Sequence, residues 1–266
     1  MATLQFIGGG RMATALVGGL IDSGGYSASD IVVVEPVEDR RRELEATHPG
    51  LVTSATPMGV ADVVLAVKPD VAAEACRSLR DTGVERLLSI AAGVRTADLE
   101  AWTGQGVRVV RAMPNTPALV GAGAAGVAPG ADATTADLDW AVEIVGAVGI
   151  VEMVTEADLD AVTAVSGSGP AYLFYLAEAM NAAAVSLGLS PEVAERLVTA
   201  TLVGSARLLA DSEDGPAELR AQVTSPGGTT AAAVGVLEEA DVRAAIVAAI
   251  ARAAQRAVEL GDSSAS

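Results

Sequence analysis

Short runs of apolar, mostly branched residues alternate with helical stretches through the first half of the chain. The runs at 4–7, 31–34, 63–67, 86–90 and 107–110 carry almost no polar positions, the pattern of strands covered on both faces. Stretches such as 12–23 and 39–47 between them are long enough for crossover helices. Strand, helix and strand repeated in this way predict a doubly wound parallel sheet with right-handed crossovers. Small residues at 119–130, a helix at about 135–145 and a run at 149–154 extend the sheet outward.

The pattern changes after about residue 155. A helix is expected at 170–187, with Pro170 in its first turn and Gly188 at its end, and another from Pro191 to about residue 210. Pro216 opens a short helix and 240–260 supplies the last, leaving a frayed tail at 261–266. Ala, Val and Leu almost surround the 170–187 helix, which calls for burial in a bundle or a subunit interface. The sequence therefore divides into an α/β domain at 1–155 and an all-α domain at 156–266.

Composition narrows the chemistry. The 266 residues suffice for one large or two ordinary domains, and with 51% hydrophobic but 3% aromatic residues the core must be aliphatic. A net charge of −17 repels phosphate backbones and anionic membranes, so nucleic acid and membrane are not expected partners. One cysteine, Cys76, excludes an internal disulfide, and one histidine, His48, falls in a His-Pro-Gly turn. No metal site is expected, nor a Ser-His-Asp hydrolase. No membrane-length apolar segment or signal sequence is visible, which points to a soluble cytoplasmic protein.

Gly8, Gly10 and Ala13 form Gly-x-Gly-x-x-Ala directly after the first strand, with Arg11 and Met12 opening the helix that follows. The first glycine permits a tight turn, the second lets a pyrophosphate approach the backbone, and the alanine permits close helix–strand packing. A plain glycine turn would read the same without its position after a strand. Glu35 ends the second strand, where an acidic side chain suits a ribose hydroxyl and disfavours a 2′-phosphate. Arg40, Arg41 and Arg42 follow and suit that phosphate, or simply solvent, so both NADPH and NADH remain compatible with the stretch.

Lys68, the sole lysine, stands with Pro69 at the end of the third apolar run, on the edge where an open parallel sheet binds ligands. It is not in a Gly-Lys-Ser/Thr context, which excludes P-loop phosphoryl transfer. Three stiff or small-residue loops follow. Arg-Ala-Met-Pro-Asn-Thr-Pro at 111–117 fixes Asn115 between two prolines. Ser-Gly-Ser-Gly-Pro at 166–170 leads into the apolar helix. Val-Thr-Ser-Pro-Gly-Gly-Thr-Thr at 223–230 interrupts the helical half, where Thr229 and Thr230 are expected to cap the next helix and gather N–H and O–H donors. A small carboxylate suits that helix N-terminus.

Together, residues 8–13, 66–69, 111–117, 163–172 and 223–230 resemble the pyrroline-5-carboxylate reductases, the last enzymes of proline biosynthesis. Ser-Gly-Ser-Gly-Pro-Ala-Tyr and Ser-Pro-Gly-Gly-Thr-Thr are the specific parts of that resemblance. It implies a Rossmann domain followed by an all-α dimerisation domain whose helices interleave in a homodimer, with assembly of five dimers into a decamer in some members. It implies hydride transfer from NADPH or NADH to the C=N carbon of a cyclic imino acid. By the same resemblance, Gly8, Gly10, Arg11, Met12, Ala13, Glu35, Ala66, Lys68, Pro69, Met113 and Asn115 contact the cofactor. Ser168, Gly169, Ser225, Gly227, Gly228, Thr229 and Thr230 contact the substrate, the Thr230 hydroxyl assisting at the ring nitrogen. Family members often carry an Asn-Arg or similar pair where this chain has Glu35 and Pro36. A 3-hydroxyacid dehydrogenase would need a lysine in the helical half, and there is none. A reductase of another imine or hydroxy acid, or a non-catalytic NAD(P) sensor, is the alternative.

Overall fold

The computed structural model describes residues 3–264 and divides into two compact units, Met1–Pro170 with Arg252–Ser266, and Ala171–Ala251. The composition-based boundary at 155 marks the change in element type. The compact units instead divide at 170, and the chain returns to the first at 252.

The first unit is built on strands β1 (Leu4–Ile7), β2 (Ile31–Val34), β3 (Val52–Ser54), β4 (Asp62–Leu65), β5 (Arg86–Ser89), β6 (Arg108–Met113), β7 (Gly123–Pro129) and β8 (Gly149–Met153). Among the described residues they form one sheet in the order β3-β2-β1-β4-β5-β6-β7-β8. Helices α1 (Arg11–Asp22), α2 (Glu38–Thr47), α3 (Pro69–Ser78), α4 (Thr96–Thr103) and α5 (Thr135–Gly146) connect the strands. The period-2 alternation of strand side chains divides the core in two. Leu4, Phe6, Val33, Val64, Leu88 and Val110 pack with Leu16 and Leu20 of α1 and Ile144 of α5. Ile7, Val34, Val63, Leu65, Leu87 and Val109 pack with Ala72 and Cys76 of α3 and Leu99 of α4. All eight residues of β1 and β2 are buried, which is why these strands read as apolar runs broken only at Gln5.

The parallel sheet predicted from the sequence accounts for the first six strands. β7 instead pairs antiparallel with β6, and β8 runs parallel to β7. The link from β6 to β7 contains only a 3-10 turn at Thr116–Val120, too short for a crossover, whereas α5 provides one between β7 and β8. The three-residue edge strand β3 was not expected.

After β8 come α6 (Leu159–Val162), a π-helical turn (Thr163–Gly167) and α7 (Gly169–Ser186). The second unit continues with α8 (Pro191–Asp211), α9 (Pro216–Gln222), α10 (Thr229–Glu239) and the start of α11 (Val242–Ser264), up to Ala251. The Ser190 hydroxyl caps α8 by accepting from the Val193 amide at 3.4 Å. Within one chain α7 buries none of its residues: Leu173, Phe174, Tyr175 and Leu176 are all exposed. Of the bundle or interface expected for this helix, a bundle within the chain is therefore excluded. The expected frayed tail is corrected at 261–264, which continue α11: Gly261 is buried and Asp262 pairs with Arg95 at 2.6 Å. The last two positions of that expected tail, Ala265 and Ser266, lie outside the described residues.

Candidate active site

The β1–α1 turn has the backbone its glycines require. Gly8 donates to the Val34 carbonyl at 2.8 Å and sits at φ +100°, where a Cβ would also lie 2.7 Å from the Ala66 carbonyl oxygen. Gly10 is the N-cap of α1 at an ordinary φ of −71°, and a Cβ there would meet nothing within 4 Å. Packing within the chain does not demand this second glycine; it leaves open space at the positive end of α1. Arg11 is exposed, Met12 packs partly into the core and Ala13 is buried against it.

That space opens into a cavity of about 560 Å³ lined by Gly8, Gly9 and Gly10, by Glu35 and Pro36 after β2, and by Ala66, Val67 and Lys68 after β4. Lys68 is the N-cap of α3 and Pro69 its first residue. Three adjacent strands thus end on one concavity, as ligand sites of open α/β sheets do. The Glu35 carboxylate accepts from the Gly9 amide at 3.2 Å and from the Val37 amide at 3.0 Å. Arg40 donates to the Gly9 carbonyl at 3.0 Å and to Glu43 at 2.8 Å. Arg41 donates to the carbonyls of Glu35 and Pro36 at 2.7 and 2.9 Å, and Arg42 pairs with Glu38 and Asp39.

The loop after β6 is tied to the π-helical turn. Asn115 is 8% exposed; its amide donates to the Ser166 carbonyl at 3.1 Å and its Oδ1 accepts from the Ala124 amide at 2.9 Å. A Cβ on Gly167 would fall 2.8 Å from the Met113 methyl. Met113, Asn115, Ser168 and Gly169 are therefore brought together within the first unit. The Ser168 amide closes the π turn on the Thr163 carbonyl at 2.8 Å, and Gly169 opens α7 with free space at its Cβ position. Such π insertions recur at functional sites. Arg111, almost fully buried, pairs with Glu156 at 3.4 Å, and Glu156 also accepts from the amide and hydroxyl of Thr96, each at 2.7 Å. Glu156 and Thr96 carry no signal in the sequence, because nothing local links positions 96, 111 and 156.

In the second unit, Gly227 adopts φ +71° and the Gly228 amide donates to the Ser225 carbonyl at 3.0 Å. A Cβ on Gly228 would meet the Ser225 hydroxyl at 2.5 Å. The expected capping by threonine is corrected: Gly228 is the N-cap of α10, and Thr229 and Thr230 are its first two residues. They bring hydroxyls to the first turn, whose amides have no acceptor within the helix.

The left-handed Gly8, the open Gly10 at a helix N-terminus and the acid after β2 fit a nicotinamide dinucleotide, and with the doubly wound sheet they define a Rossmann-type oxidoreductase with an added helical unit. Residues 156–260 match the pyrroline-5-carboxylate reductase dimerisation family, and residues 3–93 match the family described as NADP oxidoreductase coenzyme F420-dependent. Pyrroline-5-carboxylate reductase of Pseudomonas aeruginosa is 43% identical over 265 residues, covering 97% of each chain. That of Mycobacterium leprae is 41% identical over 286 residues, covering 98% of this chain and 97% of its own. A solved pyrroline-5-carboxylate reductase from Coxiella burnetii superposes with a TM-score of 0.90 at 39% identity, covering 97% of this chain and 98% of that one. One from Plasmodium falciparum, with NADP bound, gives 0.85 at 28% identity and 98% of each. The chain belongs to the pyrroline-5-carboxylate reductase family. It is an oxidoreductase that uses NADPH or NADH.

Proposed function

We propose a division of labour among the residues of this chain for its family's reaction, the reduction of L-1-pyrroline-5-carboxylate to L-proline. The observation that carries it is the pairing, in one chain, of a dinucleotide cradle at Gly8 and Gly10 with a donor loop at 223–230 leading into α10. Residues 1–155 serve as the cofactor domain and 156–266 as the dimerisation and substrate domain.

When bound, the dihydronicotinamide supplies a hydride, which becomes the new C–H bond at the C=N carbon while the ring nitrogen takes a proton. Gly8 and Gly10 admit the pyrophosphate, with Arg11, Met12 and Ala13 forming the first turn of α1 beneath it. Glu35 holds the adenosine ribose. Ala66, Lys68, Pro69, Met113 and Asn115 hold the nicotinamide half, with Asn115 acting through the loop it ties in place. Gly227, Gly228, Thr229 and Thr230 offer backbone amides to the substrate carboxylate, supported by the Ser225 hydroxyl. Ser168 and Gly169, at the start of α7, complete the substrate contacts. The Thr230 hydroxyl orients the ring nitrogen or its proton. No covalent step with the protein is needed, since orientation and fixed dipoles are enough for a carbon already polarised by its nitrogen.

The exposed apolar surface of α7 supports a homodimer, and assembly of five such dimers into a decamer is the larger form we propose. Among the described residues no helix is long and apolar enough to cross a membrane, and the acidic chain fits a cytoplasmic site of action. Oxidation of NADPH and NADH by purified protein with DL-pyrroline-5-carboxylate tests the reading. Proline as product supports it, and no oxidation by folded protein would send the assignment to another imine.

A further inference from the structure

We infer that Glu35 makes this chain discriminate against a 2′-phosphate on the adenosine ribose, so that NADH is its preferred reductant. The inference rests on the cavity at Gly8–Gly10 being the cofactor site.

Glu35 is the first residue beyond β2, and it lines the same cavity as the glycine turn. Its side chain is held in place. One carboxylate oxygen accepts from the Gly9 amide at 3.2 Å and the other from the Val37 amide at 3.0 Å. Two backbone donors on opposite oxygens fix its direction. A carboxylate held this way keeps lone pairs for the hydroxyls of an unmodified ribose. It has nothing to donate to a phosphate ester, and its charge repels one across a short distance.

The arginines that follow would have to reverse this, and all three have partners already. Arg40 bridges the Gly9 carbonyl and Glu43. Arg41 is bound to the carbonyls of Glu35 and Pro36, where it supports the bend that presents Glu35. Arg42 lies between Glu38 and Asp39 on exposed helix surface. Lys68 lines the cavity from the end of β4, across β1 from Glu35 in the sheet order. A 2′-phosphate therefore meets a fixed negative charge at the end of β2, with Arg40, Arg41 and Arg42 already engaged by carbonyls and carboxylates.

The test is calorimetric titration of the full chain with ADP-ribose and with 2′-phospho-ADP-ribose, which carry no nicotinamide and report binding alone. ADP-ribose should bind more tightly by on the order of ten-fold or more. In Glu35→Gln, which removes the charge and keeps an acceptor for one amide, the ratio should fall towards one. The ratio of kcat/KM for NADH over NADPH should move in parallel. Equal or tighter binding of the 2′-phosphorylated ligand by the unaltered chain would overturn the inference, and this comparison stands even if the variant fails to fold. An unchanged ratio in folded Glu35→Gln would overturn the role of Glu35. Failure of both ligands to bind folded protein would instead overturn the placement of the cofactor site, and the inference with it.

Discussion

Asn115 and Ser166, 51 residues apart in sequence, are joined by a 3.1 Å hydrogen bond from the buried side-chain amide of the first to the backbone carbonyl of the second. The same side chain accepts from the Ala124 amide, so one residue sets the positions of the β6–β7 loop and the π-helical turn. Asn115→Ala leaves a buried amide and carbonyl without these partners, which costs about 2–4 kcal/mol. Urea unfolding should show that loss. Because Met113 ends the strand that leads into this loop, KM for the dinucleotide should rise as well. A variant as stable as the parent would show that the loop holds its place by its prolines alone.

Asp137 makes stability sensitive to acid. Burial works against its charge, but the hydroxyl and amide of Thr134 and the guanidinium of Arg108, at 3.0 Å, outweigh it and hold the carboxyl below the usual range. A carboxyl lowered in this way contributes stability in full above its unfolded-state value and loses it as pH falls through the folded one. Asp137→Asn should therefore be destabilising at neutral pH by about 1–3 kcal/mol. The gap from the parent should narrow as pH falls below about 4 and on through the lowered folded-state value. A gap that stays constant over this range would place its origin in packing.

Thr230 stands at the second position of α10, where its hydroxyl can serve the substrate without capping the helix. Thr230→Ala should lower kcat/KM for the imine by about ten- to hundred-fold, with unfolding little changed. Activity should persist, since an iminium carbon accepts hydride readily. Full kcat/KM in the variant would remove the residue from the reaction.

Phe174 and Tyr175 of α7 are 64% and 76% exposed in the single chain, far more apolar surface than an isolated helix face normally leaves to water. A second copy of the chain is the proposed cover. Phe174→Glu should shift the protein towards monomers in sedimentation velocity, with the sheet unit intact by circular dichroism. Unchanged assembly would place the interface elsewhere.

The runs of β1, β2, β4, β5 and β6 were legible because strands buried on both faces are dominated by apolar, mostly branched residues. The small residues of β7 place it in the outer part of the sheet but leave its strand character faint, because its packing selects small residues. A Cβ on Gly126 would lie 3.0–3.1 Å from Val162 and Leu159, and one on Gly123 would lie 2.9 Å from the Val148 carbonyl. Its reversed direction follows from a connection too short to cross over. The glycine turn was legible because Gly8 meets a backbone requirement, φ +100°, at a fixed place directly after the first strand. The partners of Asn115, Arg111 and Glu35 were not, since each depends on chain segments that only the fold brings together.

Every role assigned to the site serves hydride transfer to the imine carbon. The most direct measurement uses NADH deuterated at the transferred position of the nicotinamide, with DL-pyrroline-5-carboxylate as substrate and mass and NMR analysis of the product. L-proline carrying one deuterium at C5, the former C=N carbon, is the expected product. Proline free of deuterium, or no proline from folded protein with either dinucleotide, would contradict it.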